Sequence, residues 1–264
     1  MEDNFQMKNS TSLSRYIFSA SSLIFIVIAW YLISTFNGGI LFPSWQEIGS
    51  AIFNIFSNDV CQNIGSCNIN LAVFFTFFRL VITMVISAFL AFFMAFLYCL
   101  YSPIYSFFKP LIAIMKAAPI AIVSVYLWYS FSSDVAPYLV TFFVINPIMT
   151  ESFIISIDNI DRGIINELKL VKASVFTKFF KVYIPLILPY IALSILQSFG
   201  LGFKVMVMSE YLCQTNNGIG KWIYNFTIIS DYSYLLGFLI IIVIIVLIIE
   251  FAIKLLQNRI KKFI

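Results

Sequence analysis

The first residues to consider are those that could carry out chemistry, and this sequence contains few of them. Histidine is absent, which removes the commonest metal ligand and the usual general base near neutral pH. The four cysteines are too scattered for a metal cluster, because Cys99 and Cys213 lie in or near separate apolar segments. The sequence therefore predicts no bound cofactor, no metal site and no catalytic centre in this chain.

Two of the cysteines, Cys61 and Cys67, share one polar segment. If that segment faces an oxidising compartment, the two could form a disulfide that closes a small loop, but two free thiols explain the sequence equally well. Mass spectrometry with and without a reductant distinguishes the two states.

Composition places the chain in a membrane. Of its 264 residues, 61% are hydrophobic and only 11% are charged, and the mean hydropathy is +0.98, far above the values of soluble proteins. Several apolar runs exceed the roughly 18 residues needed to cross a bilayer. We predict six membrane-spanning helices near Tyr16–Phe36, Leu71–Leu100, Leu111–Phe131, Ala136–Ile157, Ile184–Met208 and Tyr234–Ile253.

The positive charges predict the orientation of these spans. With both termini inside, twelve Lys and Arg residues lie in or beside inside segments and only Lys221 lies outside, which favours cytoplasmic N and C termini. The spread of the cations along the chain argues against nucleic-acid binding. The first apolar run is long for a cleaved signal peptide, and no small-residue cleavage site follows it near Phe36. The inside cations are Lys8, Arg15, Lys109, Arg162, Lys169, Lys172, Lys178, Lys181, Lys254, Arg259, Lys261 and Lys262.

The longest inside segment, Asp158–Tyr183, is amphipathic. Its apolar residues recur at steps of three and four, with lysines between them, and Asp161 is a plausible helix N-cap. We expect a short helix along the inner membrane surface, with Pro185 marking the start of the next span. On periodicity alone, a helix that merely anchors the loop is the favoured interpretation. The apolar stripe comprises Ile164, Ile165, Leu168, Val171, Val175, Phe176 and Phe179.

This segment resembles the EAA loop of binding-protein-dependent ABC permeases, which runs roughly D-P-x-L-x-E-A-A-x-x-x-G-A-S and ends in I-L-P-x-x-L-P. The chain departs from that pattern where Asn166 replaces the motif Glu, where Glu167 and Leu168 replace the two motif Ala, and where Lys172 replaces the motif Gly. Glu167 keeps a carboxylate one position later. The matching residues are Asp161, Ile164, Ala173, Ser174, Ile184, Pro185, Leu188 and Pro189.

Four further segments resemble the nitrate, sulfonate and taurine branch of the same family, in the same order along the chain. Leu41–Ile48 is similar to L-P-S-P-x-E-V, and Phe78-Arg79-Leu80 is similar to L-R-V. Lys116–Ile120 stands where that branch has R-P-I-P-P. The last segment, Ser209–Leu212 followed by Asn217–Gly220, is similar to A-E-F-L-G-x-x-S-G-L-G.

The resemblance implies an all-α integral membrane protein of the type I ABC importer kind. Residues 1–15 would form a cytoplasmic segment and residues 16–264 the transmembrane domain, in a bacterial cytoplasmic membrane. The expected partners are an ATP-binding ABC subunit, an extracytoplasmic substrate-binding protein, a second permease copy and lipid. This chain has no phosphate-binding loop of the G-x-x-x-x-G-K-S/T type, so ATP and Mg²⁺ would act in the partner ATPase. The residues expected to couple to that ATPase are Asn166, Glu167, Leu168, Lys169, Lys172, Ala173 and Ser174.

Ionisable residues inside the spans are candidates for the translocation path, because charges in a membrane are costly and often functional. Lys204 is expected either to meet an anionic solute or to pair with Glu210 or Glu151. Glu151 is itself either a structural partner or a gate. Glu250 and Lys254 are four residues apart and are expected to form a helical ion pair.

Three other interpretations remain open. The membrane subunit of an energy-coupling-factor importer also docks ATPases through cytoplasmic helices, but it would lack the external segments described above. An intramembrane enzyme would need clustered catalytic groups, and a membrane scaffold would need no ATPase. The transported solute cannot be read from this chain, since the branch it resembles handles nitrate, sulfonates, taurine and vitamin precursors.

Overall fold

The computed structural model describes residues 21–22, 24–36, 41–57 and 69–260, and these residues form helices and connecting turns with no β-strand. The N-terminal segment 1–15 and the pair Cys61 and Cys67 lie outside the described residues. In chain order the helices are α1 (Ile24–Phe36), α2 (Trp45–Phe56), α3 (Ile69–Leu100), α4 (Pro103–Ala117), α5 (Ile120–Ser130), α6 (Ala136–Asp158), α7 (Arg162–Leu170), α8 (Val175–Lys178), α9 (Ile184–Leu212), α10 (Ile219–Ile229) and α11 (Tyr232–Ile260).

Four helical stretches are long and apolar enough to cross a membrane: Ile69–Leu100, Ala136–Asp158, Val175–Leu212 and Tyr232–Asn258. The helices α4 and α5 together make a fifth candidate. The described part of the predicted first span, α1, is shorter than a membrane crossing. The structure therefore confirms a multi-helix membrane protein with four or five candidate spans in the described ranges.

The chain divides into two compact units. The first comprises Met1–Val60 and Phe226–Ile241. Within it, α2 starts with a capping box, in which Ser44 accepts from the Glu47 amide and the Glu47 carboxylate accepts from the Ser44 amide at 2.7 Å. Asn54 Nδ2 donates to the hydroxyl of Tyr234 at 3.1 Å, which ties α2 to the start of α11.

The second unit comprises Cys61–Asn225 and Ile242–Ile264, and its centre is formed by α3, α6 and α9. Gly202 of α9 lets these helices approach closely, because a Cβ there would lie 2.5 Å from Ile145 and 3.0 Å from Leu80. The buried core of these helices contains large apolar side chains together with small hydroxyl-bearing ones such as Thr83 and Thr141. It includes Leu80, Ile145, Met149, Phe153, Phe203 and Met206.

One predicted span is not a single continuous helix. Leu111–Phe131 was expected to be a single helix, but α4 ends at Ala117, α5 begins at Ile120, and the two helices meet at an angle of 99°. Pro119 lies at the break in an extended conformation and has no amide hydrogen to continue the ladder of α4. A hydropathy profile does not register this change of direction, because both helices are apolar.

Candidate functional site

The Asp158–Tyr183 segment joins two candidate spans, and its first part is the short helix α7. The predicted N-cap is confirmed, since the Asp161 carboxylate accepts from the Gly163 amide at 2.6 Å. Asn166 and Glu167 lie on its exposed surface, and Leu168 is half-buried. The side chain of Lys169 is outside the described part of the structure. Leu170, at the end of the helix, is 84% exposed.

The helix does not continue through the predicted stripe. It ends at Leu170, and Lys172 and Ala173 lie in a non-helical link in which the Ala173 amide donates to the Val171 carbonyl at 2.9 Å. Ser174 then caps the next helix, accepting from the Thr177 amide at 3.2 Å. The short helix that was predicted is present as α7, but the last apolar residues of the stripe, from Val175 to Phe179, belong to the next helical stretch, because the Ser174 cap starts a new helix.

The next span also begins earlier than predicted. The helical stretch that is long and apolar enough to cross a membrane is Val175–Leu212, whereas the predicted span was Ile184–Met208. Phe179–Tyr183 is a π-helical turn, closed by a hydrogen bond from the Ile184 amide to the Phe179 carbonyl. Pro185 lacks an amide hydrogen and its ring crowds the carbonyl of Lys181, so we attribute the wider turn to this proline.

Aromatic side chains in residues 176–180 pack against α3. Phe179 is fully buried, and its ring centroid lies 5.4 Å from that of Phe92 and 5.0 Å from that of Phe96. Phe176 and Phe180 pack on each other at 4.5 Å and also contact the α3 rings. These five phenylalanines, which we call the aromatic joint, connect the exposed α7 region to a membrane-crossing helix.

Among the predicted path residues, Lys204 has a partner that was not foreseen. Its Nζ lies 2.6 Å from Glu250 Oε1 on α11, so the expected pairs of Lys204 with Glu210 or Glu151 are wrong. The expected pair of Glu250 with Lys254 is likewise replaced by this one. Gly200, one turn before Lys204, has Ile253 at 3.5 Å from the position of a Cβ, which brings the two helices together.

Glu151 is also paired, which supports the structural alternative for this residue. Its Oε2 lies 2.6 Å from Lys116 Nζ, and both side chains are partly exposed. Lys116 lies in the last turn of α4, next to the 99° break, and Glu151 follows Pro147 within α6. The pair therefore links a broken helix to a proline-containing one.

Glu210 lies at the centre of a buried polar cluster. Its carboxylate is completely inaccessible and accepts from Arg79 Nη1 at 2.8 Å, from the Thr76 hydroxyl at 2.8 Å and from the Gly220 amide at 3.1 Å. The Arg79 side chain is only 6% exposed. A carboxylate that accepts three hydrogen bonds in a buried site is fully satisfied. Glu210 therefore faces these donors, not an open path.

The other hydrogen bonds of this cluster connect the turn between α9 and α10 to Arg79 and Asp134. Arg79 also donates to the Asn217 carbonyl at 2.6 Å and to Asp134 Oδ1 at 2.9 Å, and Asp134 accepts from the side-chain amide of Asn216 at 2.7 Å. Gly218 adopts φ +121°, and a Cβ there would lie 2.5 Å from the Glu210 carboxylate. Only glycine fits this position.

Sequence reasoning missed this cluster. Arg79 matches a basic position in the family pattern, which suggested either shared architecture or an interfacial anchor, and the structure places it in a buried site with Glu210 and Asp134 as partners. A signal was present in the spacing of Thr76 and Arg79, which places both polar groups on one helix face inside an apolar span. The sequence does not show that Glu210, 131 residues later, meets that face.

Metal-binding groups and disulfides are the remaining features to consider among the described residues. Cys99 and Cys213 are free thiols, and no group of three or more Cys, Asp or Glu side chains could hold a metal ion among the residues described.

Comparisons with known proteins agree with this geometry. No curated protein sequence matches the chain. Among solved structures, a chain of the MetNI methionine ABC transporter in inward-facing conformations is similar, with a TM-score of 0.52, 16% identity, and coverage of 70% of this chain and 96% of that one. At this identity the likeness shows a shared fold. The model of the family described as binding-protein-dependent transport system inner membrane component matches residues 86–263. The chain belongs to this family of membrane transport components.

Proposed function

We propose that this chain is the permease subunit of an ABC importer that couples ATP hydrolysis in a separate ATPase to the uptake of a small solute. The observation that carries the proposal is the exposed α7 region, by which we mean residues 161–174. It consists of the capped helix α7 and the non-helical link after it, and it lies between two candidate membrane spans. Asn166, Glu167 and Lys172 are exposed, and Leu170 is almost fully exposed beside them. A short helix with one apolar and one charged surface suits insertion into a groove of a partner protein.

The coupling would pass through the aromatic joint. Because Phe179 is fully buried against Phe92 and Phe96 of α3, a displacement of the α7 region that reaches Phe179 through the link at Lys172 and Ala173 would move α3 with it. The π-helical turn beside it is a natural place for a bend. Closure of the ATPase would therefore reach the spans largely as a rigid-body motion.

The family supports a set of partners for this subunit. We propose an assembly of two permease copies, two ATPase subunits and an extracytoplasmic binding protein, with ATP and Mg²⁺ held by the ATPase subunits. The permease would cross the bacterial cytoplasmic membrane six times with both termini in the cytoplasm, so that α7 faces the ATPase. The loop with Cys61 and Cys67 would then face outward.

The solute is proposed to belong to the range handled by the nitrate, sulfonate, taurine and vitamin-precursor branch. This rests on the segment resemblances alone. Of the proposed path residues, Lys204 and Glu151 are partly exposed and already ion-paired, whereas Glu210 is buried.

The family match also bears on the alternatives. It covers residues 86–263, from the middle of α3 onward, and is a match to binding-protein-dependent transport components. That favours the importer permease over an energy-coupling-factor subunit, an intramembrane enzyme or a scaffold.

Reversing the two exposed charges of the α7 region tests the docking assignment. The double variant Glu167→Lys/Lys172→Glu should lower the amount of ATPase subunit that copurifies with the chain by about tenfold, the loss that corresponds to about 1.4 kcal/mol of binding free energy. Lys109→Glu is the matched control, because Lys109 is exposed on α4 and predicted on the same side of the membrane. Equal copurification of wild type and double variant would refute docking through α7.

A further inference from the structure

The helix α2 has two separate apolar faces, and the described part of the chain covers only one of them. Ile48, Ala51 and Ile55 are buried, whereas Phe53 and Phe56 are 71% and 60% exposed. Because successive residues of a helix are about 100° apart, the exposed apolar residues centre about 120° away from the buried ones. We call this second face the exposed strip; it comprises Trp45, Gly49, Phe53 and Phe56.

The third side of α2 is polar. Gln46, Glu47 and Ser50 are all exposed there. Glu47 is the only charged residue of the helix, and its carboxylate is already engaged by the Ser44 amide. A helix on the surface of a soluble domain needs one apolar face, toward its core. A second apolar face beside a polar one is typical of a helix that lies in a membrane surface.

Contacts at the start of α2 place it against α1. The Trp30 indole nitrogen donates to the Pro43 carbonyl at 3.2 Å, and its ring centroid lies 6.0 Å from that of Trp45. Trp30 precedes Phe36, the last residue of α1, by about 9 Å of helix. The helix α2 therefore begins beside α1 and not beyond its end.

The middle of α2 rests on α11 in the same way. A Cβ at Gly237 would lie 3.2 Å from the Ile52 side chain and 3.5 Å from that of Ala51. Gly237 follows Tyr232, the first residue of α11, by about 8 Å of helix. Since Trp30 and Gly237 both lie inside predicted spans, α2 is held at the depth where headgroups meet acyl chains, which is the depth of in-plane helices.

We propose that the exposed strip is immersed in lipid, so that α2 lies in the membrane surface with Gln46, Glu47 and Ser50 facing water. The neighbouring end of α1 continues the same apolar surface, because Phe36 is 86% exposed, and such residues can face acyl chains without cost. No Lys or Arg occurs in α2, so the contact is with acyl chains and requires no anionic headgroup. The inference depends on membrane insertion alone and not on the proposed import function.

Photocrosslinking tests which molecules touch the exposed strip. The photoreactive residue p-benzoylphenylalanine, which retains a phenylalanine ring, replaces Phe53 in the full chain and Ser50 in the matched control on the polar side. A second pair uses Phe56 and Gln46. Each protein is illuminated in the membranes of its host cell, where its partners are present, and again in vesicles of phosphatidylcholine alone, and the adducts are identified by mass spectrometry.

We expect lipid adducts at the strip positions to exceed those at the polar positions by about fivefold or more in both membranes, because only the strip is immersed. Adducts of the strip with a second copy or with another protein would overturn the proposal, since protein would then cover it. Equally few lipid adducts at strip and polar positions would overturn it by placing the strip in water. A difference that vanishes in phosphatidylcholine would overturn the contact with acyl chains. None of these results alters copurification of an ATPase, so this inference and the proposed function can fail separately.

Discussion

Replacing Arg79 with methionine is expected to destabilise the protein by about 3–5 kcal/mol, because it leaves the Glu210 carboxylate buried without its charged partner. The carboxylate would keep only the Thr76 hydroxyl and the Gly220 amide as donors. The turn that carries Asn217 would also lose its tie to α3. We expect the midpoint of thermal unfolding in detergent to fall by on the order of 10 °C.

Two further variants show whether the loss comes from the buried charge. Asp134→Asn removes the other carboxylate beside Arg79, but that side chain is 43% exposed, so the expected loss is within about 1 kcal/mol. The double variant Arg79→Met/Glu210→Met removes both buried charges and should recover part of the stability lost by Arg79→Met. An Arg79→Met protein as stable as Asp134→Asn would contradict the buried cluster.

The second large effect is expected at the aromatic joint. Phe179→Ala should leave the ATPase subunit bound but reduce solute-stimulated ATP hydrolysis by about tenfold or more. The reason is that the α7 region, which carries the docking residues, is retained while its packing on Phe92 and Phe96 is lost. Phe179→Leu keeps an apolar side chain and should give an intermediate rate.

The matched control is Phe89→Ala. Phe89 is a phenylalanine of the same helix, α3, but it is 69% exposed and faces away from the packed core, so its loss should change neither docking nor ATP hydrolysis. If Phe179→Ala retains full solute stimulation while the ATPase remains bound, the joint does not transmit the motion. If the ATPase dissociates, Phe179 is needed for docking instead.

Composition and periodicity predicted the class of this fold well, and one local feature, the Asp161 N-cap, was predicted correctly. The apolar runs identify α3, α6, α9 and α11, since burial in lipid requires little more than length and apolarity. Asp161 was recognised as an N-cap because capping depends only on neighbouring residues. Structural features that depend on a few adjacent residues can be predicted from a sequence.

Changes of helix direction were not predicted. The 99° break lies beside Pro119 between two apolar helices, and the π-helical turn lies just before Pro185, where the sequence predicted no change in the helix. Proline marks such places but does not determine the result, because Pro147 and Pro189 lie inside helices that continue. The outcome depends on which neighbours accept the freed backbone groups.

Partners distant in sequence were also missed. If Lys204 did not meet a solute, it was expected to pair with Glu210 or Glu151. Glu210 is instead paired with Arg79 and Glu151 with Lys116, and Lys204 pairs with Glu250. Local spacing favoured Glu250 with Lys254, because it cannot show that α9 and α11 pack together at Gly200. Each of these pairings is determined by the arrangement of whole helices.

ATP hydrolysis tests the central claim most directly. The chain should be purified through its own tag from the membranes of its host cell, reconstituted into liposomes, and supplied with ATP and Mg²⁺. An ATP-driven importer permease predicts ATPase activity that accompanies the wild-type chain and is lost from the Glu167→Lys/Lys172→Glu variant. Wild-type chain that carries no ATPase activity, or activity that survives the charge reversal unchanged, would contradict it.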